Sequence, residues 1–489
     1  MFESTKKPKH ILFILQSNPH SSKYAYIPRL FVILQVYKLD MSFLWKLRYL
    51  LASLALICVV QAHGDMNMDN SDELSGPDIK SAGPRTFHWI CTVLFLLLLP
   101  SVVTCLTFAG KIYSAVVFQL VCGIYAILEA AIFRFNDNNG IENKTSRGTA
   151  WFLALWTWIA IFFGGLASGT SVFVKNKKLN AFVNRTGESK LAYVHRALSF
   201  SSVLAGWVKV CISPIAMFGF CRAGYTGQCI AHGVMGSSFI LYGFIYALVL
   251  VIPWIRNAKT SYTQDHIDSW IMCIWGIVNT FTEHRWGKKW KMSEYEHTAM
   301  GILWWSGGLI GIFLSRGGRR TFVPSLMIVF TGWAMSEHTQ SSVISTKVHF
   351  LFGILLMCGG ALRIVEIAFL LRDKRALDKI QSFQYLPPFC LICSGVLFMG
   401  ANQEQLQLVL RFKAGHSSYS LLLISGSFIV YLWILLCLEF YLHLARASED
   451  GLFYGYSSIA NENPETEFEL DDAIQEHQAA SVEPERLES

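Results

Sequence analysis

Five histidines stand where apolar runs begin or end: His232, His284, His297, His338 and His349. They occur in Gly227-Gln-Cys-Ile-Ala-His-Gly233, Glu283-His-Arg-Trp-Gly287, Glu296-His-Thr-Ala-Met300, Thr331-Gly-Trp-Ala-Met-Ser-Glu-His338 and Lys347-Val-His349. Neutral imidazole is a leading ligand for Zn, Cu, Fe and Ni, and each ring needs a second partner to fix its tautomer. Ionisable groups inside or at the edge of a membrane segment are costly and mark function by default. Glu283, Glu296 and Glu337 each precede one of these histidines. Neighbours on a helix point about 100° apart, so each Glu is better placed to serve the histidine of an adjacent helix than its own.

The elements that position these residues follow from composition. Of 489 residues 53% are hydrophobic and 15% charged, with 15 Trp and 35 Phe. Soluble domains carry about 25% charge, so the chain reads as an all-α, polytopic integral membrane bundle. Apolar runs near the roughly 20 residues that a bilayer requires fall at about 88–110, 113–134, 149–174, 198–220, 230–255, 267–284, 297–315, 322–340, 348–371, 384–402 and 419–444. That makes about eleven spans. The net charge of +7 is spread over short loops, so membrane lipids rather than nucleic acid are the implied partner.

A signal peptide at 41–62 is expected, with basic Lys46 and Arg48, a short apolar run and cleavage after Ala62. Residues 1–40 are then an upstream extension ahead of a start at Met41, or a cytosolic arm before an uncleaved anchor. A polar lumenal segment covers 63–87, where His63, Met66 and Met68 could chelate copper, or where the chain is simply a tether. N-terminal membrane helices fill 88–220 and C-terminal ones 221–445. An odd span count from a lumenal start leaves the C-terminus cytosolic, and loop charges agree: Lys175, Lys177, Arg256, Arg319, Arg372 and Lys374 fall in predicted cytosolic loops.

Two features fit this topology. The sequon Asn143-Lys-Thr145 falls in a lumenal loop where it can be glycosylated. Cys221 and Cys229 flank another, where an oxidising compartment permits a disulfide. All five histidines then lie near the lumenal face, with His88 as a looser sixth. Arg363 and Glu366, three residues apart near the cytosolic end of a span, read as an ion pair on one helix face. Glu129 is isolated in its span and has no partner nameable from sequence. His195 and His266 read as loop residues on the cytosolic side, where His443 is the third histidine. The acidic segment 446–489 reads as a disordered cytosolic tail, and Tyr456-Ser-Ser-Ile459 has the shape of a sorting signal read by a coat adaptor.

The histidine motifs quoted above, with Thr331 to Gln340 and Arg363-Ile-Val-Glu366, resemble the fungal Ytp-type membrane proteins over roughly residues 85–445. The resemblance implies a signal peptide, a His/Met/Asp-rich lumenal start and many spans, with no assigned activity. His63, Met66 and Met68 are a thinner lumenal run than the family pattern, and Asn143 to Arg147 stands where histidines are expected. Three functions remain open. The histidines bind Zn or Cu for transport, storage or redox chemistry; or a pair of them ligates haem iron for electron transfer; or the protein is structural or trafficking and the rings only pack. No nucleotide-binding loop, nucleophile elbow or zincin motif appears. The endomembrane system, endoplasmic reticulum or Golgi first and vacuole or plasma membrane next, is the expected location.

Overall fold

A computed structural model describes residues 82–460, except 138, 170–176, 259–261, 285–286, 339, 341, 372–379 and 413–414. The expected extension, signal peptide, cleavage site and copper-tether residues lie outside the described residues, as does the chain beyond Ala460. Among the described residues the fold is helical, with one isolated bridge between Asn136 and Glu142. The first span joins α1 (Ala82–Val93) to α2 (Leu99–Phe108) through a π-helical turn at Leu94–Leu98. Then come α3 (Ile112–Ala131), α4 (Lys144–Ala167), α5 (Lys177–Thr186) and α6 (Glu188–Phe218). The C-terminal half holds α7 (Thr226–Val251), α8 (Pro253–Arg256), α9 (Gln264–Thr282), α10 (Met292–Leu314), α11 (Val323–Glu337) and α12 (Val343–Val365). It ends with α13 (Leu386–Met399), α14 (Gln403–Arg411) and α15 (His416–Ala460). The helix of α15 therefore continues past Arg446, into the segment that the sequence reads as tail.

Nine of the helices among the described residues are long and apolar enough to cross a membrane. The two other expected spans correspond to α9 and α11. The first carries Asp265 and Asp268 in its opening turns, and the second has 15 residues, roughly 22 Å against a hydrocarbon core of about 30 Å. Both pack lengthwise on neighbours through glycine. A Cβ on Gly276 of α9 would lie 2.3 Å from the Trp305 amide nitrogen, and one on Gly332 of α11 would lie 2.6 Å from the Gly353 carbonyl oxygen. Close backbone approach of this kind is how membrane helices gain packing when lipid offers no hydrophobic drive.

Helix starts follow local chemistry. Asn143, Thr263 and Ser342 cap α4, α9 and α12 by accepting from the amides of Ser146, His266 and Ser345, and Pro324 and Pro387 open α11 and α13 where no amide is needed. At one end of the bundle, Asp137 ties its own loop to the Arg222 loop and to the start of α1. Its carboxylate accepts from the amides of Ile141 at 2.8 Å and Asn139 at 2.9 Å and pairs with Arg222 at 2.8 Å, while Arg85 donates to its carbonyl. In the neighbouring loop Cys221 and Cys229 are bonded, with Cα atoms 5.6 Å apart, and the Cys221 amide donates to Glu404. Desolvation raises the Asp137 pKa, but the Ile141 amide, Arg222 and the Asn139 amide outweigh it and hold the carboxyl below the usual range.

Two outcomes check this fold. A Cβ on Gly206 of α6 would fall 1.8 Å from the Leu96 carbonyl in the π-turn, whereas one on Gly233 meets nothing within 4 Å. Gly206→Ala should therefore cost about 1–3 kcal/mol in thermal unfolding of the detergent-purified protein, and Gly233→Ala little. Because the Asp137 pKa is depressed in the fold, its contribution is full above the unfolded carboxylate range, about 3.9, and is lost as pH falls through the lower folded value. Asp137→Asn should lower stability at neutral pH and flatten the acid limb of the stability–pH curve.

Candidate metal centre

The five histidines gather at one end of the bundle as two pairs and a fifth ring. His232 and His349 lie in the second turns of α7 and α12, with ring centroids 5.8 Å apart at 74°. His297, in the second turn of α10, and His338, which ends α11, have centroids 6.0 Å apart. His284, just past α9, stacks on Trp290 at 4.0 Å. Among the described residues no three or more His, Cys, Asp or Glu converge to hold one metal ion.

What the rings share is the way they are held. Nδ1 of His297 donates to Glu283 at 2.7 Å, Nδ1 of His284 to Glu294 at 2.8 Å, and Nδ1 of His338 pairs with Glu296. Nδ1 of His232 and His349 donate to the carbonyls of Gln228 and Ser345, each at 2.9 Å. A carbonyl or carboxylate only accepts, so in each neutral ring the proton sits on Nδ1 and Nε2 keeps its lone pair. That is the arrangement of a metal-ligating imidazole with its second partner in place. Glu283 and Glu296 each serve a histidine on an adjacent helix, as the 100° rule implies. Glu294 was not singled out in the sequence. The signal was its place one turn before His297.

The two pairs differ in surroundings. His232 and His349 are 8% and 3% exposed, and Phe398 packs on them at 4.6 and 6.1 Å. The side chains of His297 and His338 are 37% and 18% exposed.

Other expected site residues are placed as follows. His88 stacks on Phe135 at 3.9 Å and bonds Glu129 at 2.6 Å. Glu129 thus acquires a partner that the sequence did not name, and a second in Lys209 at 2.9 Å, itself bound to Ser146. A lysine within an apolar run was the available signal. His195 and His266 are not loop residues: both are buried in helices, His195 on Gln119 at 2.9 Å and His266 on Ser315 at 2.7 Å. Those helices begin earlier than hydropathy suggested, because Glu188 and the Thr263 cap start them before the apolar run. Arg363 pairs with Glu366 at 2.7 Å and extends to Tyr246 and Asp265 at 2.6 and 3.3 Å. The side chains of Tyr456 to Ile459 lie outside the description.

Residues 205–442, which contain all five histidines and the Arg363 network, match the family model "Protein YTP1-like, C-terminal". Over 421 residues the chain is 63% identical to protein YTP1 of Saccharomyces cerevisiae, covering 86% of this chain and 92% of that one. The chain belongs to the YTP1 family. An uncharacterized membrane protein of Schizosaccharomyces pombe is 24% identical over 44% of this chain and 52% of its own. Another from Saccharomyces cerevisiae is 25% identical over 30% of this chain and 28% of its own. No solved structure matches. The family membership, the helices and the relatives' names agree that this YTP1-family chain is an integral, multi-pass membrane protein.

Removing one member of a buried ion pair leaves an uncompensated charge and costs about 3–5 kcal/mol. Lys209→Met should therefore destabilise the purified protein by about that amount. Adding Glu129→Gln should recover a large part, which a double-variant cycle of thermal melts would register as strong coupling.

Proposed function

We propose that this chain is an endomembrane protein whose histidine-rich end faces the lumen and binds a transition metal, Zn or Cu, for transport, storage or redox chemistry. One observation carries the reading: five imidazoles at one end of the bundle each have Nδ1 held by a fixed acceptor, so that Nε2 is the ligating nitrogen. In four of them Nε2 belongs to a ring whose centroid is 5.8 or 6.0 Å from a second one. Two metal–nitrogen bonds of about 2 Å plus the ring radii span roughly 6 Å.

The orientation is carried by Asn143 and by Cys221 with Cys229, which lie in the loops on the histidine side. Asn143 uses its Oδ1 to cap α4, which leaves Nδ2, the atom a glycan would occupy, free of that bond. The C-terminus then lies in the cytosol, where the Tyr456 to Ile459 segment would meet a coat adaptor.

Elemental analysis of detergent-purified protein should find near-stoichiometric Zn or Cu, lost from a folded His297→Ala, His338→Ala variant. A glycosidase-sensitive mass shift, abolished by Asn143→Gln, should place that end in the lumen. A parent without metal would leave the histidines as packing residues, and an unglycosylated Asn143 would remove the main support for the orientation.

A further inference from the structure

The two histidine pairs have different charge around them, and that difference sorts cations. Behind the outer pair stand two carboxylates, Glu283 on His297 and Glu296 on His338. Two imidazoles backed by two negative charges balance a divalent ion. Behind the inner pair stand only backbone carbonyls, those of Gln228 and Ser345, with Ser345 Oγ near His349 at 3.4 Å. The inner rings are almost fully enclosed, with Phe398 against both and Phe352 in turn against Phe398 at 4.8 Å.

Desolvation scales with the square of the charge, so a divalent ion entering this enclosure would meet about four times the Born cost of a monovalent one of equal size. No carboxylate hydrogen-bonded to the inner rings offsets it. A monovalent ion that accepts two nitrogen ligands meets the smaller cost, and the aromatic wall attracts it further. The donors fit copper, since neutral imidazole suits it, and of its two common ions the monovalent one meets the smaller desolvation cost.

From this we infer that His232 and His349 form a distinct inner site for Cu(I), while His297 and His338 take a divalent ion of the Zn class. The inference rests on the metal-binding reading above and goes beyond it in dividing the cluster and naming the inner ion. Binding at the inner site displaces no proton, because both ligating nitrogens are already bare, and it adds one positive charge to a neutral pocket.

The test is a titration of the full-length protein in detergent. Cu(I) is supplied anaerobically against a competing Cu(I) chelator, and Zn(II) is titrated separately. The variants are His232→Gln, His349→Gln, His297→Gln and His338→Gln, each checked by thermal melt. The two inner variants are independent, so one folded protein suffices. Each inner variant should lose one equivalent of Cu(I) and keep its Zn(II), and each outer variant should lose Zn(II) and keep one Cu(I). Zn(II) lost from an inner variant, or Cu(I) retained at full stoichiometry there, would overturn the division while leaving metal binding intact. A parent that binds neither ion would overturn both readings.

Discussion

The site's chemistry depends on one constraint: an imidazole buried in a bilayer-embedded bundle must give its N–H to a fixed acceptor. Within the hydrocarbon region every polar group has to be satisfied by the protein, as it is for the enclosed His232 and His349. The more exposed His297 and His338 keep the same kind of bond. In all five rings the acceptor bonds Nδ1, through a carbonyl one turn back on the same helix or a carboxylate from elsewhere. Satisfying one nitrogen in this way settles the tautomer and exposes the other as a base. The same bonds that make the rings tolerable to bury therefore also leave each neutral ring one nitrogen lone pair, which the proposed metal site requires.

Four polar groups of the C-terminal half share one seam. His232 and Tyr246 lie on α7, and His349 and Arg363 on α12, in each case about four turns or roughly 21 Å apart. His232 meets His349 at one end, and Tyr246 meets Arg363 at the other, at 2.6 Å. Between them Phe239, Phe352 and Phe398 pack in ring contacts of 4.8 and 5.8 Å. The seam thus holds two polar stations separated by an aromatic plug. At the second station Arg363 is shared by Glu366 and Asp265, and Gln384 fills the other Glu366 oxygen at 2.9 Å. A helix turn widened to π geometry begins at Glu366, and such turns recur at functional positions.

Much of this was legible in the sequence where a single helix decides the matter. The Arg363–Glu366 pair follows from three-residue spacing, and side-chain directions say that each Glu serves a histidine of an adjacent helix without saying which one. Pairing between distant segments was not legible. Nothing in local pattern says that His232 should meet His349 rather than His284, because that depends on which helices lie side by side. Two of the expected spans, α9 and α11, fall short of the length and apolarity of the other nine for a related reason. Hydropathy counts apolar residues, but α9 and α11 are placed by glycine-mediated contact with α10 and α12 and need neither full length nor full apolarity. The Lys209–Glu129 pair is illegible for the same reason, since the two residues are three helices apart and each alone reads as an isolated charge.

The account stands on the tautomer. Nitrogen-15 NMR of the metal-free protein, selectively labelled at histidine, reads which ring nitrogen carries the proton. It also reports which nitrogen moves when metal is added. The account predicts that the resonances lost in His232→Gln, His349→Gln, His297→Gln and His338→Gln all report Nδ1–H rings, and that metal shifts their Nε2 signals alone. Rings protonated on Nε2, or Nε2 signals unmoved by metal, would contradict it.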